Sequence, residues 1–398
     1  MKWFSAPNYP RWAIANFIVL SIYGVVLRYM QLYDVPGLNY QFILHAHSHF
    51  AFSGWMFFSI AILIASLCSN GKIGSGFKTI LWLTLVSAYG MLASFSWQGY
   101  KLVSICFSTL FVLVTFGFAW MVFKNDQLKE RANPTAYQLI RGSVVFLCLS
   151  ALGPFALRPL AALGLKNTPW YQDAVYFYLH FQMNGFMLLA ALGLLAASIR
   201  LPALKADTAC WLKLFIFSTL PLCFIFTIWA KPGPWLCAFA CLGAGFNLLS
   251  WLALAISFGR YWNCLLFVEK AALLALSIKV ALQVAICIPV IGDWVFASRN
   301  LVIGYIHLLT LGVIMPLLIG QLMRKGFITA GLKTSALNYT YVGLTLVYLG
   351  LLFIQPLLAL FYVAVPFYQP LLFCLCLLFL CFGAGLLMVI KTNYHERL

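Results

Sequence analysis

The chain has 398 residues, of which 64% are apolar, 17% aromatic and only 8% charged, whereas an ordinary soluble domain is about half apolar and about a quarter charged. So few polar residues cannot clothe a water-exposed surface of this size. That excludes a soluble enzyme, a disordered chain, a coiled coil and a nucleic-acid binder, and leaves an all-α polytopic membrane protein whose first partner is the lipid bilayer, with the formal net charge of +17 read as topology.

A membrane span needs about 20 apolar residues. The apolar pattern predicts twelve, over 11–33, 42–67, 78–97, 102–123, 138–163, 173–198, 210–230, 234–258, 264–291, 298–322, 337–361 and 368–390. Turn chemistry marks the junctions at Pro36-Gly37, Ser69-Asn70-Gly71, Lys231-Pro232-Gly233-Pro234 and Ile291-Gly292-Asp293. The connections are short, so residues 1–398 are expected to form a single integral membrane domain with any chemistry held between helices. If the N-terminus is cytoplasmic, seventeen Lys and Arg fall in inner segments and four (Lys101, Lys166, Lys231 and Arg299) in outer loops. This positive-inside bias alternates through all twelve spans and puts both termini in the cytoplasm. The start, Met1-Lys2-Trp3-Phe4, has no small-residue cleavage site before the first apolar run, so that run is expected to be a retained helix. A bacterial inner (cytoplasmic) membrane is the expected location. The 12 cysteines form no Cys-x-x-Cys, which excludes covalently attached c-type haem and a zinc ribbon.

Five of the six histidines lie inside spans. They occur in His45-Ala46-His47-Ser48-His49, in Tyr178-Leu179-His180 and in Tyr305-Ile306-His307, and each stretch contains His-x4-Gly: His49/Gly54, His180/Gly185 and His307/Gly312. The three repeated histidines are 131 and 127 residues apart, about four helices each time, so the chain divides into repeat-like thirds near 1–132, 133–262 and 263–398. They fall on the second, sixth and tenth spans, each roughly 10 Å below the outer helix end at 1.5 Å per residue. Threefold similarity would set them at one depth around a central axis. A lone histidine in a membrane helix can simply bond a neighbour. Three at matched positions, with two more beside one of them, point to a metal or haem site. His45 and His49 share a helix face, whereas His47 is about 200° away and turns to a different neighbour. The second span is therefore expected to serve two sites, one on each flank.

At these residues the sequence resembles the haem-copper oxidase superfamily: subunit I of terminal oxidases and nitric oxide reductases, and equally the NnrS family. The His-x-His segment, the small residues and the Gly54-Trp55 pair after it, and the run from His307 through Met315-Pro316 to Ile319-Gly320 carry that likeness. The resemblance implies twelve transmembrane helices in three pseudo-symmetric four-helix arcs. It also implies a b-type haem with His307 and either His47 or His49 as axial ligands, and a copper ligand at His180, with His45 and His49 as further metal candidates. The family's seventh helix supplies a His-His pair and its tenth carries two histidines. Here the seventh span (Trp211 to Ala230) has none and the tenth has one. A complete oxygen-reducing centre cannot be assembled from these residues.

Arg28 and Arg158 sit near the outer ends of the first and fifth spans and are candidate clamps for haem propionates, with interfacial anchoring as the plainer reading. Lys279, near the middle of the ninth span, reads as an anionic-ligand contact, a proton route or an internally paired cation. Glu269 and Lys270 are expected to snorkel, and His395, in the tail, to have no ligand role. The resemblance implies electron transfer, or binding or reduction of a diatomic gas (nitric oxide or oxygen), with a redox partner or oxidase subunit as neighbour. The competing readings are a twelve-helix metal or proton-coupled transporter and an accessory protein that delivers haem or copper to an oxidase.

Overall fold

The computed structural model describes residues 8–69, 73–199 and 206–391. Asn70, Gly71, His395, the first residues from Met1 to Phe4, and Lys72, Arg200, Lys205 and Arg397 lie outside the described residues. The rest is almost wholly helical. No strand occurs among the described residues, only an isolated antiparallel bridge between Ile328 and Ile390.

Among the described residues, eleven helices are long and apolar enough to cross a membrane on their own: α1 (Tyr9–Tyr29), α2 (Tyr40–Cys68), α3 (Ser75–Gln98), α4 (Leu102–Phe123), α5 (Pro134–Ala162), α6 (Pro169–Ser198), α7 (Thr208–Ala230), α8 (Pro234–Gly259), then, after α9 (Phe267–Ile286), α10 (Arg299–Arg324), α11 (Leu332–Ala359) and α12 (Tyr368–Val389). The chain is a multi-pass integral membrane protein. Its helix starts follow local chemistry. Proline stands in the first turn of α1, α5, α6 and α8, where its missing N–H costs nothing. Asn39 caps α2 by accepting from the Gln41 and Phe42 amides at 2.9 and 3.2 Å.

The ninth predicted span, 264–291, is not one straight helix. α9 (Phe267–Ile286) ends, and a short helix, Pro289–Ala297, leaves it at 110°. Pro289 forces Ile288 into extended backbone (φ −76°, ψ 119°). The bend is tight enough that a Cβ on Gly292 would stand 2.7 Å from the Ile286 carbonyl oxygen.

The chain forms two compact units, one from residues 1–121 with 318–398, the other from 122–317. In the first, α1 packs on α2 and α12, α2 on α3, and α11 on α12. In the second, α5 packs on α6, α7 on α8, and α9 on both α8 and α10. Burial is uneven. In α2, α6 and α10 the buried share of the most apolar stretch is 89%, 89% and 67%, against 28–56% for the other spans. The three histidine helices are the most buried, and the others leave more of their apolar surface uncovered.

Those same three helices share an irregularity. Each shifts from α to π hydrogen bonding for seven residues: Ala51–Phe57 in α2, Phe181–Met187 in α6 and Leu308–Ile314 in α10. Each shift starts one or two residues after the repeated histidine and includes the glycine of His-x4-Gly. A π segment adds a residue to the turn and is frequently found at functional sites.

Candidate functional site

In the first unit, the α2 histidines divide between two faces, as 100° per residue dictates. His49 stacks on Phe95 with ring centroids 4.4 Å apart and planes at 14°. Its Nε2 lies 2.7 Å from the Tyr100 hydroxyl. His45 meets the same Tyr100 edge-on at 4.7 Å. Gly99 makes this possible: it ends α3 with φ of +63°, and a Cβ there would collide with the Phe42 ring, so only glycine turns the chain sharply enough to bring Tyr100 over α2. His47 points the other way, its Cε1 3.5 Å from where a Cβ on Gly24 of α1 would stand. One helical turn above Gly24 on α1, Arg28 donates from Nη2 to the Tyr348 hydroxyl at 2.8 Å, and its guanidinium carbon is 5.6 Å from that ring's centroid.

The π segment of α2 is fixed by side chains that sequence reading did not single out. Asn16, fully buried in α1, donates from Nδ2 to the Gly54 carbonyl at 2.6 Å and accepts from the Tyr89 hydroxyl at 2.8 Å. Ser53 donates to the His49 carbonyl at 2.7 Å. The only cue available in the sequence was a hydroxyl or amide residue four positions after the histidine, a pattern repeated at Asn184.

In the second unit, His180 is 2% exposed. Its Nε2 lies 2.8 Å from the Thr219 carbonyl, and a carbonyl can only accept, so Nε2 carries the proton. Nδ1 is then the acceptor for the Asn184 amide at 3.4 Å. Thr219 lies in the turn of α7 before Pro221, where the helix tightens to 3-10 geometry over Cys223–Ala230. His307 carries its proton on the other nitrogen. Its Nδ1–H donates to the Ile303 carbonyl at 2.8 Å, which makes Nε2 the basic nitrogen. Arg158 is exposed and has no ion pair among the described residues, and the interior cavity of this unit does not include it. That cavity, of about 50 Å³, lies between α6, α7, α9 and α10 and is walled by His180, Asn184, Tyr176 and Tyr305 among apolar residues such as Phe226 and Ile286.

These details test the groups that the resemblance implies. A metal-ligating histidine commonly donates one ring N–H to a carbonyl, which fixes its tautomer, and the His307 bond to the Ile303 carbonyl is a contact of that kind, in keeping with a haem ligand. His180 has its Nε2 on the Thr219 carbonyl and its Nδ1 3.4 Å from the Asn184 amide, so a copper ion there would replace one of these two contacts. The described residues do not bring three His, Cys, Asp or Glu side chains together as a metal site.

No protein-family model matches the sequence, and no curated protein matches it.

Proposed function

We propose that the protein is a haem-binding, electron-transferring membrane protein of the haem-copper oxidase type, with a reduced metal complement, and that His307 is an axial ligand of a b-type haem. The observation that carries this reading is the π segment that follows the repeated histidine in α2, α6 and α10. It is the backbone counterpart of the sequence repeat, and it supports three equivalent four-helix arcs. The second axial ligand, His47 or His49, rests on the resemblance alone. A bound haem supplies a one-electron centre, and two imidazoles on its iron leave no position for a gas. The chain's own residues have simpler tasks. Ile303 holds the His307 ring in one tautomer, and Tyr348 holds Arg28 in place, where a guanidinium would neutralise a propionate. The reading places the protein in a bacterial inner membrane with both ends cytoplasmic and a redox partner or oxidase subunit beside it.

Two contacts support twelve crossings. Asn8, before α1, donates to the carbonyl of Lys391, after α12, at 2.8 Å. Lys231, after α7, pairs with Asp293, beyond α9, at 3.6 Å. The first contact needs an even number of crossings between Asn8 and Lys391, and the second needs α9 to cross by itself.

A reduced-minus-oxidised spectrum of the detergent-purified protein, with iron analysis, tests the function. A sharp b-type signal that carbon monoxide does not shift is expected, lost in His307→Ala and in one of His47→Ala or His49→Ala. A gas-induced shift would replace electron transfer with gas binding at an open iron. An unchanged spectrum in His307→Ala removes His307 from the site. Colourless, iron-free protein overturns the whole reading, and a transporter would then be the better account.

A further inference from the structure

His45 and His49 stand four residues apart in the regular α-helical part of α2, Tyr40–Phe50, just ahead of its π segment. At that spacing two side chains share a helix face with Cβ atoms about 5–6 Å apart. One residue from the turn after α3 meets both imidazoles. The Tyr100 ring is 4.7 Å from His45 and 5.8 Å from His49, centroid to centroid, and its hydroxyl is 2.7 Å from the His49 Nε2. A hydrogen bond between Tyr100 and α2 needs only one histidine. His45 packs on Phe95 and Tyr100 but makes no hydrogen bond through its ring among the described residues, so it has a lone pair to give.

The positions of all three rings are fixed by their neighbours. Phe95 stacks on His49 and meets Tyr100 edge-on at 4.8 Å. Gly99, with its positive φ, sets where Tyr100 arrives. Tyr100 is exposed, in the connection between α3 and α4, so a dissolved ion has access to the group. Two imidazoles at i and i+4 are the pair with which a helix grips zinc. Nitrogen ligands lie about 2.0–2.1 Å from zinc, which sets two donors on one ion about 3 Å apart. The His49 Nε2 and the Tyr100 oxygen are already near that separation. An ion can replace the hydrogen between them with a small movement of the rings.

We propose that His45, His49 and Tyr100 bind one divalent transition-metal ion of the zinc class. The hydrogen between Nε2 and the phenol oxygen leaves to water as a proton. Water fills the remaining coordination positions, since no third His, Cys, Asp or Glu joins the group among the described residues. Imidazole suits such ions, whereas Mg2+ and Ca2+ prefer all-oxygen sites. The site goes beyond the haem reading. It uses the flank of α2 that faces Tyr100, and it leaves His47, on the other flank beside Gly24, as the α2 histidine for the haem iron.

The test is a zinc titration of the tag-free full chain in detergent, against a chromophoric chelator and with accessible thiols capped so that cysteines do not compete. Wild type should bind one zinc with micromolar Kd, undisturbed by a large excess of Mg2+. His45→Ala should lose that zinc while its circular dichroism stays that of wild type. Tyr100→Phe should weaken binding about tenfold, the loss of one donor. Equal zinc stoichiometry in wild type and His45→Ala, displacement by Mg2+, or unchanged affinity in Tyr100→Phe would each overturn the proposal. So would a haem spectrum lost in His49→Ala and kept in His47→Ala, which would give His49 to the iron. Zinc is read by titration and haem by its spectrum. Colourless protein that binds zinc therefore sinks only the haem reading, and a haem protein that binds none sinks only this site.

Discussion

Asn16 joins three elements through two hydrogen bonds, from its amide nitrogen to Gly54 of α2 and to its amide oxygen from Tyr89 of α3. It is fully buried, so a nonpolar replacement takes a partner from the Gly54 carbonyl in the buried interior and from the half-buried Tyr89 hydroxyl. Asn16→Leu, similar in shape, should lower unfolding stability by about 1–3 kcal/mol, read as a reduced midpoint in detergent-based unfolding. Tyr100→Phe removes a bond of similar length to His49, but at an exposed hydroxyl, where water takes over, and should cost less than about 1 kcal/mol. Equal losses in the two variants would show that burial does not set the cost. The histidines themselves were legible in the sequence because they repeat at a fixed interval and share a helix face by arithmetic. Their partners were not. Asn16 is 38 residues from Gly54 and 73 from Tyr89, and no local pattern announces a pairing across helices.

The elements were legible in proportion to how long and apolar they are. Predicted and observed spans agree to within a few residues except at 264–291, where Pro289 and Gly292 break the run. Apolar content alone does not distinguish a straight crossing from a bent one. The π segments were invisible for a related reason: a one-residue insertion leaves hydropathy unchanged. They nevertheless set the register. Phe181–Met187 lies between His180, bonded to Thr219, and Leu188–Ser198, where a Cβ on Gly193 would stand 2.8 Å from Ile140 of α5. Deleting one residue, for example Met183, would let the segment return to α geometry. It would also rotate one half of α6 by about 100° relative to the other, so either the Thr219 bond or the packing on α5 must be lost. The deletion should destabilise the protein by several kcal/mol, on the scale of severe core changes. Deleting the exposed Glu130, near the end of the short helix before α5, should have a much smaller effect. If unfolding midpoints show the two deletions to be equally tolerated, the π segment is not a register device.

Over the whole chain, charge and contacts address topology independently. The cation count orients the loops without any structure, and the contacts give parity without any charge. Asn8 bonded to Lys391 requires the described ends to lie on one side. The pairing of Lys231 with Asp293 requires α8 and α9 together to make a return trip. Asn133, before α5, donates to the Ala196 carbonyl near the end of α6 at 2.8 Å, which is a third such return. Eleven crossings would contradict the first contact, and twelve satisfy all three. In a cysteine-free background, since the native chain has exposed cysteines such as Cys106, Cys241 and Cys374, single cysteines at positions 8, 231 and 391 separate the possibilities. A membrane-impermeant maleimide added outside intact cells should label Lys231→Cys and spare Asn8→Cys and Lys391→Cys until the membrane is opened. Labelling of Asn8→Cys and Lys391→Cys alone would keep twelve crossings and reverse the orientation, which would mean that the seventeen-to-four cation bias does not set it. Labelling of only one of those two would make the number of crossings odd, and the bond between Asn8 and Lys391 could not then form in the membrane.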